Sequence, residues 1–113
     1  GTAFLNGGQE FLRTKRGNEN SYSTSNTSSI STNGIDLTFK EKYSDVYNVY
    51  KGLIALRKAN PSAFGSNTSA KAETVSKGVT KYTTGDFLVY FNATDAEAAI
   101  SSSGYTKVID VTS

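Results

Sequence analysis

Between Gly7 and Tyr22 the chain gathers Gln9, Glu10, Arg13, Lys15, Asn18, Glu19, Asn20 and Tyr22 into one short polar stretch. Amide, carboxylate and guanidinium groups offer several hydrogen-bonding atoms each, in fixed geometry, and suit sugar hydroxyls or one another. A solvated polar loop is the plainer reading of the same residues. The exclusions are sharper. Without Cys there is no thiol nucleophile, thiolate metal site or disulfide, and without His there is no Ser-His-Asp arrangement and no His-ligated zinc. Carboxylates remain for acid–base work, but no Asp or Glu stands out as a partner for Glu10. Neither a cofactor nor a metal is expected.

These residues need elements to hold them. Ala3-Phe4-Leu5, a short apolar run ending at Gly7-Gly8, reads as a buried strand leaving a sheet. The Ser-, Thr- and Asn-rich stretch from Ser21 to Gly34 has too little apolar surface to offset its ordering entropy, and it reads as an exposed flexible loop closed by an Asn33-Gly34 turn. The clearest helix runs from Ser44 to Ala59, with Ser44 as N-cap, Asp45 in the first turn, Arg57-Lys58 in the last, and Asn60-Pro61 as the stop. Val46, Val49, Tyr50, Leu53, Ile54 and Leu56 form an apolar stripe on it, expected to face a core. A helix this short is marginal alone and must dock.

Beyond the helix, Phe64 to Ser69 reads as a linker, and Glu73-Thr74-Val75 and Val79 to Tyr82 as short strands. Thr84-Gly85-Asp86 is a turn, and Phe87 to Asn92 is the strongest strand in the chain. Tyr105 to Val111 reads as a closing strand. The class expected is α+β, with the helix packed on a small antiparallel sheet.

At 113 residues, with 36% hydrophobic and 19% charged content, the chain is at most one ordinary domain or pieces of two, with a small core. Twelve basic against ten acidic residues, a net charge of +2, is too balanced to suggest nucleic acid or an anionic membrane as partner. No apolar run approaches the roughly 20 residues of a membrane span, and no signal-peptide pattern opens the chain. The sequence fixes no cellular address. A bacterial cytoplasmic and a secreted or cell-surface location both stay open.

Several of these residues together resemble a known family. Gly1-Thr2-Ala3-Phe4, Gly8-Gln9-Glu10, Phe11-Leu12-Arg13-Thr14-Lys15 and Gly17-Asn18-Glu19-Asn20-Ser21-Tyr22 are similar to the last barrel strand and following loop of type I pullulanases and related glycogen-debranching members of the alpha-amylase superfamily. Ala3 stands where that family usually has proline, and Asn6-Gly7 precedes the Gly-Gln-Glu turn as a second departure. Ile35-Asp36-Leu37 resembles the segment after the loop, with Leu37 replacing an aromatic residue, and Leu53-Ile54-Ala55-Leu56-Arg57 resembles the final barrel helix.

The resemblance implies that residues 1–61 are the last strand, loop and helix of a catalytic (β/α)8 barrel, and that 62–113 are part of an antiparallel all-β domain. It implies a parent enzyme acting on α-1,6 branch points of α-glucans, with its catalytic carboxylates on earlier strands, upstream of Gly1. Arg13, Asn18, Asn20 and Tyr22 would line or shape the substrate cleft, while Gln9 and Glu10 would be structural neighbours of it. The first residues then begin inside a strand whose sheet is missing, so the part before Ser44 is expected to be disordered in the isolated chain. Two other classes stay open: a noncatalytic carbohydrate-binding module using Tyr22, Tyr82, Tyr90 and Tyr105 as stacking faces, and a cell-surface interaction domain.

Overall fold

The computed structural model describes residues 2–18, 21 and 32–111. The chain is α+β: a 3-10 helix at Gln9–Phe11, helices α1 (Phe39–Lys42), α2 (Ser44–Ala59) and α3 (Pro61–Phe64), then strands β1 (Lys71–Ser76), β2 (Val79–Thr84) and β3 (Phe87–Asn92). Its contacts group into two compact units, residues 4–52 and residues 53–113 together with 1–3. The boundary falls inside α2.

Residues 2–6 take no regular structure, and Phe4, which opens the first unit, is 89% exposed. The strand expected at Ala3-Phe4-Leu5 therefore does not form. A strand needs a neighbour for its backbone groups, and none is paired with it among the described residues. Residues 6–13 fold into tight turns instead: the N–H groups of Gln9, Phe11 and Leu12 donate to the carbonyls of Asn6, Gly8 and Gln9, and the side chain of Phe11 is buried. Further on, the Asp36 carboxylate accepts from both the hydroxyl and the N–H of Thr38, at 2.6 and 3.0 Å, and opens α1. Those two hydrogen bonds, the hydroxyl first, hold the Asp36 carboxyl below its ordinary range. Tyr43, at φ −118°, separates α1 from α2, and its ring meets that of Phe39 edge-on at 5.5 Å.

α2 covers the range read from sequence and stops before Pro61, but Ser44 is its first residue rather than its cap, since the Tyr47 N–H already donates to the Tyr43 carbonyl at 3.0 Å. At its end the Asn60 amide donates to the Leu56 carbonyl at 2.8 Å, and Pro61 takes the first position of α3, where its missing N–H costs nothing. The apolar stripe behaves differently from expectation. No α2 residue is buried, and Leu53 and Ile54 are 44% and 39% exposed.

In the second unit, β1, β2 and β3 form an antiparallel meander with Glu73 opposite Lys81 and Tyr82 opposite Val89. Gly85 sits at φ 52° in the first central position of the β2–β3 turn, a position that a II′ hairpin reserves for glycine. Because successive side chains alternate, Tyr82, Thr84, Phe87 and Val89 share one face, and Glu73, Lys81 and Tyr90 the other. The element docked on the first face is α3, a short helix beginning at Pro61 that was not expected from the sequence; the expected linker, Phe64 to Ser69, overlaps it only at Phe64. Phe64 packs on Phe87 with ring centroids 4.8 Å apart, and the buried Thr84 hydroxyl donates to the Ala63 carbonyl. Ala63 and Val79 are the buried apolar side chains of this unit.

Past β3 the chain turns back through Asn92–Ala96 and holds no further strand among the described residues. Tyr105 to Val111, expected as a closing strand, is unpaired and exposed.

Candidate functional site

The polar stretch singled out by its chemistry lies in the first unit, and one arginine organises much of it. Gly8, at φ 86°, turns the backbone so that the Arg13 N–H reaches the Gly8 carbonyl at 2.9 Å. A Cβ at position 8 would meet Arg13 Cβ at 2.8 Å, so only glycine leaves room for the side chain to lie across the turn. The guanidinium then donates to the Gly7 carbonyl at 3.5 Å and, through Nη2, to the Asn33 carbonyl. Arg13 thus joins two backbone segments twenty residues apart.

A second knot lies beside it. Lys15 Nζ donates to the Ser21 hydroxyl at 3.0 Å, that hydroxyl donates to Asn33 Oδ1 at 2.7 Å, and Asn33 Nδ2 donates back to the Ser21 carbonyl at 2.6 Å. Ser21 is 3% exposed, and its hydroxyl and carbonyl are both paired there. Together these ties join Arg13, Lys15 and Ser21 to Asn33. Sequence reasoning gave Asn33 only a turn role and Ser21 none. The partners are carbonyls and a hydroxyl far along the chain, which leave no spacing signature.

Between the two knots, Lys15–Asn18 forms a tight turn with Arg16 and Gly17 at φ 53° and 77°, closed by Asn18 N–H on the Lys15 carbonyl at 3.1 Å. Both central residues are left-handed, the arrangement of a type I′ turn, and Thr14 Oγ1 accepts from the Arg16 N–H at 2.9 Å. Asn18 is exposed at the end of that turn. Gln9 links the loop to α2: its Oε1 accepts from the Asn6 N–H at 3.3 Å and its Nε2 donates to the Tyr50 hydroxyl at 3.4 Å. Glu10 is half-buried in the 3-10 helix. Asn20 and Tyr22 lie outside the described residues. Among the described residues no cluster of three His, Cys, Asp or Glu side chains could hold a metal.

Of the other tyrosines considered as stacking faces, Tyr82 borders a shallow pocket of about 180 Å³ in the second unit, along with Arg57, Phe64, Thr68 and Val89. Tyr90 donates its hydroxyl to the Ser101 carbonyl at 2.6 Å, and Tyr105 is 48% exposed. Nothing assembles the three into one aromatic platform. Among the described residues no helix is long and apolar enough to cross a membrane.

No family model matches the chain, and no solved structure matches it. A stretch of 62 residues is 42% identical to the pullulanase of Bacillus subtilis strain 168. That stretch is 55% of this chain and 8% of the pullulanase, so the chain contains a pullulanase-related region and matches only a small part of that relative's length.

Proposed function

We propose that this chain is a segment of a pullulanase-type glycoside hydrolase whose complete form hydrolyses α-1,6-glucosidic branch points in pullulan, starch or glycogen. The observation that carries the reading is the 42% identity to a pullulanase over 62 residues. In this reading residues 1–61 close a (β/α)8 barrel and 62–113 begin the all-β domain after it. Barrel enzymes act at the loops that follow their strands, and the knotted stretch from Gly7 to Asn33 would be one such loop.

Glycoside hydrolysis of this kind uses two carboxyl groups flanking the scissile bond. This chain is assigned neither of them. Its part is to shape the cleft. Arg13 has both hydrogen-bonding arms on main-chain carbonyls, which supports a positioning role over direct sugar contact. Gln9, braced between Asn6 and Tyr50, has the same character, and Glu10 stays structural. The exposure of Asn18 at the end of its turn supports a contact with a hydroxyl-rich ligand, and Asn20 and Tyr22 complete the proposed set. The ligand is an α-glucan, with no nucleic acid or membrane partner.

The test is expression of the complete reading frame containing these residues, followed by measurement of reducing ends released from pullulan, starch and glycogen. Release from pullulan is expected. A full-length protein that cleaves none of the three overturns the reading.

A further inference from the structure

The sequence holds two Asn-Gly pairs, Asn6-Gly7 and Asn33-Gly34. Asparagine before glycine is the pairing most open to attack by its own backbone, because glycine has no side chain to keep its nitrogen from the asparagine carboxamide. In sequence the two pairs are equivalent. The fold makes them different.

Asn33 is tied down. Its Oδ1 accepts from the Ser21 hydroxyl at 2.7 Å, its Nδ2 donates to the Ser21 carbonyl at 2.6 Å, and its own carbonyl accepts from Arg13. Both carboxamide hydrogen bonds must break before Cγ can swing toward the Gly34 nitrogen. Asn6 has no such ties. It and Gly7 are exposed, and among the described residues the Asn6 carboxamide makes no hydrogen bond and the Gly7 N–H donates none. What is held at Asn6 is the main chain: its carbonyl accepts from the Gln9 N–H at 3.1 Å, and its N–H donates to Gln9 Oε1 at 3.3 Å.

We propose that Asn6 is a site of spontaneous deamidation, and that its conversion unties the turn on which Arg13 rests. Solvent hydroxide takes the Gly7 amide proton, and the nitrogen attacks Asn6 Cγ. A new C–N bond closes a succinimide ring, and the Cγ–Nδ2 bond breaks as ammonia leaves with a proton from water. Water then opens the ring. Addition at Cγ leaves aspartate. Addition at the main-chain carbonyl leaves isoaspartate, in which the chain runs through Cβ and Cγ and the former main-chain carbonyl becomes a carboxylate branch. Isoaspartate thus removes the amide carbonyl that accepts from Gln9, and it lengthens the chain just before the Gly7 carbonyl that accepts from Arg13.

Peptide mapping by mass spectrometry tests this on the 113-residue chain held in mildly alkaline buffer, with and without denaturing urea. In the folded chain Asn6 converts at least about tenfold faster than Asn33, which reacts only when its ties open. In urea the two convert at similar rates. Ser21→Ala removes the hydroxyl tie and speeds Asn33 alone. Gly7→Ala, whose Cβ would meet Ile35 Cδ1 at an ordinary 3.4 Å, slows Asn6 alone. Hydrogen exchange reads the consequence, with the Gln9 amide exchanging faster in the isoaspartyl chain than in the intact one. Equal rates in the folded chain, an Asn6 that stays intact there, or the same preference for Asn6 in urea each overturn the proposal. So does an Asn33 no faster in Ser21→Ala, and an unchanged Gln9 amide overturns the untying of the turn.

Discussion

At the scale of single residues, the loop owes its shape to backbone positions that side chains rarely adopt. Gly8 and Gly17 have similar torsions, φ 86° and 77°, but different surroundings. A Cβ at Gly17 meets nothing within 4 Å, whereas one at Gly8 falls 2.8–3.3 Å from three carbons of Arg13. Gly17→Ala therefore carries only the backbone cost, about 1 kcal/mol. Gly8→Ala adds displacement of Arg13 and with it the ties to Gly7 and Asn33, for a total of about 2–4 kcal/mol. Urea midpoints of the two variants give the comparison, and equal losses would show that Arg13 does not depend on the space above Gly8. The role of Arg13 shows the limit of reading residues alone. Its type and its neighbours marked it as important, but a guanidinium reads the same in sequence whether it meets a sugar or a carbonyl. Only the fold brings the Asn33 carbonyl to it.

At the scale of elements, β1 and β2 are tied across one sheet face by Glu73, which sits between Lys81 and Lys71. The hydrogen bond from Lys81, then that from Lys71, holds the Glu73 carboxyl below its ordinary range, and Glu73 in turn raises Lys81. A depressed carboxylate stabilises the fold above its unfolded pKa, and that contribution fades as pH falls through the folded value. Lys81, with its pKa raised, stays charged throughout that window. The advantage of the native chain over Glu73→Gln is therefore present at pH 7, shrinks below the ordinary glutamate value of 4.5, and also shrinks with added salt. It is small, because the groups remain open to solvent in part, with the Lys81 and Glu73 side chains 30% and 37% exposed. Urea midpoints across pH 3–7 read it, and a gap independent of pH would mean that the ion pairs do not stabilise the hairpin. Elements with strong local signals were recoverable from sequence: α2 from its period and proline stop, β2 and β3 from β-branched and aromatic runs. α3 was not, since four residues are too few to show a period. The strand read at Ala3–Leu5 failed for the opposite reason. Its apolar character is real, but a strand is a relation between two segments, and the chain shows only one of them.

At the scale of the whole chain, apolar surface stands open in both units: Phe4 and Leu37 are 89% and 67% exposed in the first, Phe91 is 61% exposed in the second, and buried apolar side chains among the described residues are few. Proteins rarely leave large side chains exposed in number without something to cover them. On the proposed function, other parts of the enzyme would cover these surfaces; the matched stretch itself is 8% of the pullulanase it resembles. Catalysis makes the same demand more strictly, because a glycosidic bond needs its two carboxyl groups on opposite sides at fixed separation. Glu10 sits in a 3-10 helix beside Gln9, which braces the loop. If the catalytic carboxyl groups lie upstream of Gly1, as the proposed function has it, the purified 113-residue chain is expected to release no reducing ends from pullulan above a control preparation. The full reading frame should release them, and Asn18→Ala within it should weaken turnover about tenfold, the loss of roughly 1.4 kcal/mol of binding to the transition state. Turnover by the isolated chain would place the catalytic groups inside these residues and return Glu10 to the centre of the question.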